Sequence, residues 1–211
     1  AERLSEINDE LDHKQNPKLS FLASGIEGIQ VRFSSKNRTE EEAMALIKPY
    51  QDRAKKLLGE LCFGEDEESM ESTIATLLEE RNLTLGVFES FSEGMLTARL
   101  NEKSASNRYF KGAWVESNQQ RITPAIGRER LEKITSLSGA DIAITVTATP
   151  QEGLHPHAEN NIELLLLLKH GEITREKQLI IPYFHHLSTV KFSVINLLNF
   201  LRLYLLREVL V

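Results

Sequence analysis

Thr84-Leu85-Gly86-Val87-Phe88-Glu89-Ser90-Phe91-Ser92-Glu93-Gly94-Met95-Leu96 is the stretch whose reading decides the fold. Leu85, Val87 and Phe88 favour a strand, and Gly94 tolerates backbone angles that other residues avoid. Met95, Leu96, Ala98, Arg99 and Leu100 then favour a helix. The succession is a buried strand, a short polar turn and a helix start. It presents side chains and amides at the carboxyl edge of a sheet, where open α/β sheets hold ligands. Ser90 and Ser92 place two hydroxyls in the turn and make it the candidate site, although serines there also suit a plain turn and helix cap.

Outward from this stretch, the spacing predicts a helix over 70–80, with Met70, Ile74, Leu77 and Leu78 inward. Downstream come a strand over 112–116, a helical segment with Leu131, Ile134 and Leu137 inward, and a β-branched strand over 141–147. Residues 162–169 and 178–181 read as a strand pair joined through Gly171, and a helix over 187–210 closes the chain. Strand–helix alternation with a late hairpin predicts an α/β fold, a mixed sheet with helices on both faces. The apolar run 187–211 carries Lys191, Asn196, Asn199, Arg202 and Arg207, so it reads as a core helix and not as a membrane span.

Toward the N terminus, Leu4, Ile7 and Leu11 mark a short helix, and residues 19–23 and 29–35 mark two strands joined at Gly25-Ile26-Glu27-Gly28. That tetrapeptide has the Gly-x-x-Gly spacing of KH loops, but here it joins strands, not helices, and Glu27 repels phosphate. Thr39 and Glu42 fit a capping box. The helix behind them runs to about residue 61, with Pro49 inside it and Ala43, Ile47, Tyr50, Ala54, Leu57, Leu58 and Leu61 on its buried stripe. Cys62 and Phe63 are assigned a short third strand. The acidic stretch 64–69 sets the expected boundary: a small α+β, KH-like module over 1–65 and the α/β domain over 66–211.

Composition limits the partners. Among 211 residues, 41% are hydrophobic and 27% charged, as in ordinary globular proteins. The net charge of −6 disfavours nucleic acid or an anionic membrane as the main partner. Cys62 is the only cysteine, which suits a reducing compartment and an expected cytoplasmic location. The start at Ala1, without methionine and directly into a helix, reads as a fragment. His155-Pro156-His157 and His185-His186 lack further metal-ligating partners, so neither a metal nor a cofactor is expected.

The α/β stretch resembles the C-terminal, nicotinamide-nucleotide amidase domain of the competence- and damage-inducible (CinA) family. Leu83 to Ala98 is similar to the family's Leu-Thr-Leu-Ala-x-Ala-Glu-Ser-Cys-Thr-Gly-Gly-Leu-Leu-Ala. Tyr109-Phe110-Lys111-Gly112-Ala113-Trp114-Val115-Glu116-Ser117-Asn118-Gln119-Gln120-Arg121 resembles its Tyr/Phe-Phe-x-Gly-Gly-Val-x-Tyr-Ser-Asn-Glu-Ala-Lys. Gly139-Ala140-Asp141-Ile142-Ala143 resembles its Gly-Ala-Asp-Leu-Ala, and the first 65 residues resemble its small middle module.

The resemblance implies hydrolysis of the amide of nicotinamide mononucleotide by a serine, with a lysine and a tyrosine nearby. It puts the nucleophile at Ser90, the tyrosine position at Glu116 and the lysine position at Arg121. Ser92, Glu93, Gly94, Ser117, Asn118 and Lys191 fall at binding positions. A serine hydroxyl attacks only when something accepts its proton; a buried lysine can, whereas a guanidinium cannot. Glu93 replaces a glycine, the family's Gly-Ile-Ala-Gly-Pro turn becomes Thr147-Ala148-Thr149-Pro150, and Lys191 retains only the charge of an arginine. These changes predict a retained fold without the amidase chemistry, in a binding or scaffold subunit. Two alternatives stand beside it: an active amidohydrolase using Ser90, and a pocket for another small anion with Arg121 and Lys191 as counter-charges. Expected partners are a pyridine nucleotide or other small anion and further copies of the chain.

Overall fold

The computed structural model describes residues 2–23, 25–103, 108–116, 123–148, 161–183 and 185–209. The chain forms two compact units, Ala1–Glu65 and Asp66–Val211.

The first unit contains α1 (Ser5–Lys14), β1 (Lys18–Ala23), β2 (Ile29–Ser34) and α2 (Glu40–Leu58). Leu4, Ile7 and Leu11 bury one face of the α1 region against Ala54 of α2, with Leu19, Val31, Phe33, Tyr50 and Leu58 packed around them. β1 and β2 pair antiparallel, and Gly25–Glu27 forms the tight turn between them, so the Gly-x-x-Gly segment is a hairpin turn. The Thr39 hydroxyl caps α2 by accepting from the Glu42 N–H. Two expectations change here. α2 stops at Leu58, and Gly59, at φ +54, turns the chain away, leaving Leu57 and Leu61 exposed. Cys62 and Phe63 are not a strand, because the sheet of this unit has only β1 and β2 among the described residues.

The second unit contains α3 (Met70–Glu80), β3 (Leu85–Glu89), α4 (Met95–Lys103), β4 (Phe110–Val115), α5 (Pro124–Ser138), β5 (Ile142–Ala148), β6 (Asn161–His170), β7 (Ile173–Pro182) and α6 (His186–Arg207). Its sheet runs in the order β4-β3-β5-β6-β7. The first three strands are parallel, and β6 and β7 complete the sheet antiparallel. The fold is therefore the expected mixed α/β sheet.

Strand side chains alternate between faces, and that alternation assigns the helices. Phe88, Ala143, Leu165 and Leu167 point to one face and meet Leu131 and Ile134 of α5. Ile162, Leu164 and Ala148 point to the other and meet Val190 of α6, together with Phe91 and Ile181. α5 lies very close to the sheet, because a Cβ on Gly86 would stand 2.5 Å from Ser138 Oγ and one on Gly127 would stand 2.4 Å from Leu167 Cδ1. α6 is the one described helix long and apolar enough to cross a bilayer; most of that apolar stretch is buried against β5, β6, α3 and α4, which makes it a core helix. Leu137, expected inward, is 58% exposed, because Ser138, one residue on, takes the position that faces Gly86 of β3.

Two pairings place the parallel strands. The Asp141 carboxylate accepts from both the Thr84 N–H (2.8 Å) and the Thr84 hydroxyl (2.6 Å), tying the start of β5 to the start of β3. These bonds hold the Asp141 carboxyl below the usual aspartate range. At the other end, Glu89 is level with Val115 of β4 and Val146 of β5. The residues that follow, Ser90, Glu116 and Thr147, therefore emerge side by side at the carboxyl edge.

Candidate functional site

β3 is buried along its whole length, and burial continues through Ser90, Phe91 and Ser92. The turn out of the strand takes two consecutive left-handed residues, Glu93 at φ +53 and Gly94 at φ +87. This is where glycine matters: Gly94 adopts the angle freely, whereas Glu93 carries a backbone cost. The Glu93 carboxylate turns away to His186 of α6, with its oxygen 2.9 Å from the ring nitrogen.

Glu89 closes the start of α4. Its fully buried carboxylate accepts from the Leu96 N–H (3.0 Å), the Thr97 N–H (2.8 Å) and the Thr97 hydroxyl. The Met95 N–H donates to the Ser92 carbonyl and the Ala98 N–H to the Gly94 carbonyl. The first-turn amides of α4 are thus already occupied.

Ser90 faces α5. Arg130 Nη1 donates to Ser90 Oγ at 3.1 Å, and Arg130 Nε and Nη2 donate to one oxygen of Glu116 at 2.9 and 2.5 Å. The other Glu116 oxygen stands 3.9 Å from Lys133 Nζ. Both cations also lie over aromatic faces: Arg130 is 5.3 Å from the Phe88 centroid, and Lys133 is 4.1 Å from that of Trp114. Two positive side chains on α5 therefore share one carboxylate, above a buried serine. Arg130 is 8% exposed and Ser90 is not exposed at all, so the guanidinium covers the hydroxyl. Ser92 Oγ and Thr145 Oγ1 are fully buried, without a hydrogen-bond partner among the described residues.

The structure brings Ser90 and Glu116 together and puts Ser92, Glu93 and Gly94 in the adjoining turn. Arg121, Ser117 and Asn118 lie outside the described residues, as do His155 and His157. Lys191 sits exposed on α6, which covers the opposite face of the sheet, and no described hydrogen bond or ion pair joins it to Ser90. Among the described residues, no group of three or more histidine, cysteine or acidic side chains is placed to hold a metal.

Sequence reasoning missed Arg130, Lys133 and the capping role of Glu89. A signal for Arg130 was present. It lies three residues after Gly127 and four before Ile134, within the stripe that buries α5. Such spacing turns an arginine toward the core, where it needs partners.

In class, the second unit is a mixed α/β domain in which an inner strand, β3, ends in a buried serine turn beneath an arginine. This fold matches the structure of competence damage-inducible protein A from Klebsiella pneumoniae (TM-score 0.55, 20% identity, covering 66% of this chain and 96% of that one). It also matches a competence or damage-inducible protein from Enterobacter asburiae (TM-score 0.54, 16% identity, 66% and 99%). A family model described as the damage-inducible protein CinA KH domain matches residues 2–64. A putative competence-damage inducible protein of Clostridium botulinum is 32% identical over 158 residues, 74% of this chain and 37% of the relative. A CinA-like protein of Frankia casuarinae is 32% identical over 148 residues, 70% and 34%. The chain belongs to the CinA family of competence- and damage-inducible proteins, and it spans a little over a third of the length of the curated relatives it matches.

Proposed function

We propose that the α/β unit keeps the amidase architecture, has lost amide hydrolysis, and acts as a small-anion binding or scaffold subunit. The observation that carries this reading is the bond from Arg130 to Ser90 Oγ. A serine nucleophile must hand its proton to a base. Among the described residues, the group hydrogen-bonded to Ser90 is a guanidinium, which donates and cannot accept. Loss of one acid–base partner or one oxyanion donor typically costs about 100-fold or more in rate.

The reading as a binding site rests on Arg130 and Lys133, two cations facing a single carboxylate. A pyridine nucleotide is the ligand that the family resemblance favours, and the cytoplasm is the compartment that a single cysteine suits. Association with further copies of the chain belongs to the same reading. The test is incubation of the full chain with nicotinamide mononucleotide, following nicotinate mononucleotide and ammonia, with Ser90→Ala as control. Product formation above the buffer rate that disappears in Ser90→Ala would establish the active amidohydrolase instead.

A further inference from the structure

Glu116 occupies the guanidinium of Arg130 as an oxyanion ligand would. Two nitrogens of Arg130 converge on one Glu116 oxygen, the third donates to Ser90, and Lys133 approaches the second oxygen. An arginine fork takes carboxylate or phosphate oxygens through paired N–H groups; here both nitrogens reach one Glu116 oxygen and leave the second to Lys133. Glu116 is the first residue beyond β4, and its side chain is 34% exposed while that of Arg130 is 10% exposed. The anion therefore comes from the accessible end of the cluster, and the cation it satisfies is set deeper. Two positive charges against one negative leave the cluster net cationic. The buried hydroxyl below adds a donor: Ser90 accepts from Arg130 and keeps its own proton to give.

We propose that the Glu116 carboxylate is an internal occupant of an oxyanion site built from Arg130, Lys133 and Ser90, and that a small carboxylate- or phosphate-bearing molecule binds there by displacing it. The inference rests on the small-anion reading above and gives that site its residues and ligand class. Glu116 thereby sets the affinity: weak anions stay excluded, and only a ligand with additional contacts overcomes the internal competitor. Lys133 moves with the exchange. Its ammonium lies 4.1 Å from the ring centroid of Trp114, the single tryptophan of the chain, so loss of the Glu116 contact alters the surroundings of a unique fluorophore.

The experiment titrates the full chain with sodium acetate and, separately, with inorganic phosphate, reading Trp114 emission and the thermal midpoint. Wild type, Glu116→Gln and the double variant Glu116→Gln/Arg130→Met are compared. Glu116→Gln is expected to bind at least one of the two anions about tenfold or more tighter than wild type, and bound anion raises its thermal midpoint. Tighter acetate identifies a carboxylate ligand; tighter phosphate identifies a phosphorylated one. The gain disappears in the double variant. Equal affinity in wild type and Glu116→Gln, no response of either to about 50 mM anion, or a gain that survives Arg130→Met overturns the proposal. Should Glu116→Gln not fold, Glu116→Asp, which shortens the reach by one methylene, is compared in its place with a smaller gain expected. The nicotinamide mononucleotide assay is independent of these titrations. Hydrolysis by the wild type would overturn the silent-enzyme reading without touching the displacement, and absence of anion binding would do the reverse.

Discussion

The commitment of Arg130 to Glu116 can be measured by a double-mutant cycle with Arg130→Met and Glu116→Gln. Exposed ion pairs contribute about 0.2–1 kcal/mol, whereas breaking a buried one costs about 3–5 kcal/mol. This pair lies between those limits, with the arginine side chain 10% exposed and the glutamate 34%. Discounting for water around Glu116, the coupling energy comes to about 1–2 kcal/mol. Arg130→Met alone costs more, about 2–4 kcal/mol, because it also leaves the buried Ser90 hydroxyl without its partner. Urea unfolding of the full chain, followed by emission of Trp114, gives these values. Trp114 lies in the second unit, so unfolding of the first does not dominate the signal. A coupling below about 0.3–0.5 kcal/mol, the scatter expected of independent sites, would refute the idea that the guanidinium is held by Glu116.

Other perturbations test the frame around the site. Gly86→Ala drives a methyl toward Ser138 Oγ at 2.5 Å and Ile134 Cγ1 at 3.3 Å, and lifting α5 off β3 should cost about 1–3 kcal/mol in urea unfolding. Glu89→Ala strips the buried cap from the Leu96 and Thr97 N–H groups; amide exchange in the first turn of α4 should accelerate, with about 2–3 kcal/mol of stability lost. The Asp141 carboxyl titrates below its ordinary 3.8, chiefly because the Thr84 hydroxyl donates to it. A depressed folded-state value stabilises above the unfolded pKa and is lost as pH falls through the folded one. Thr84→Val should therefore lower the urea midpoint near neutral pH, and the difference from wild type should shrink as pH drops below 3.8.

Much of this architecture could be read from the residues, and the failures have identifiable causes. The strand–turn–helix at 84–96 was legible because β3 is buried on both faces and Gly94 marks the break. The family motifs around Ser90 and Glu116 identified two members of the cluster. β7 was only partly legible, since its first residues are exposed and polar and gain strand structure from pairing with β6, which is not local information. Leu137 looked inward because an apolar residue three after Ile134 fits helical spacing as well as Ser138, four after it, which is the one that faces β3. Arg130 was passed over for a related reason: periodicity arguments score apolar residues, and a charge in the stripe reads as surface until its partners are known. Those partners, Ser90 and Glu116, lie 40 and 14 residues away in the chain. They meet it only because β3 and β4 are parallel neighbours beneath α5.

The most direct test of the silent-enzyme account is turnover of nicotinamide mononucleotide by the full chain over hours at high protein concentration. The account predicts no nicotinate mononucleotide beyond the uncatalysed background, in wild type and Ser90→Ala alike. Product that accumulates in proportion to wild-type protein and is absent with Ser90→Ala would contradict it.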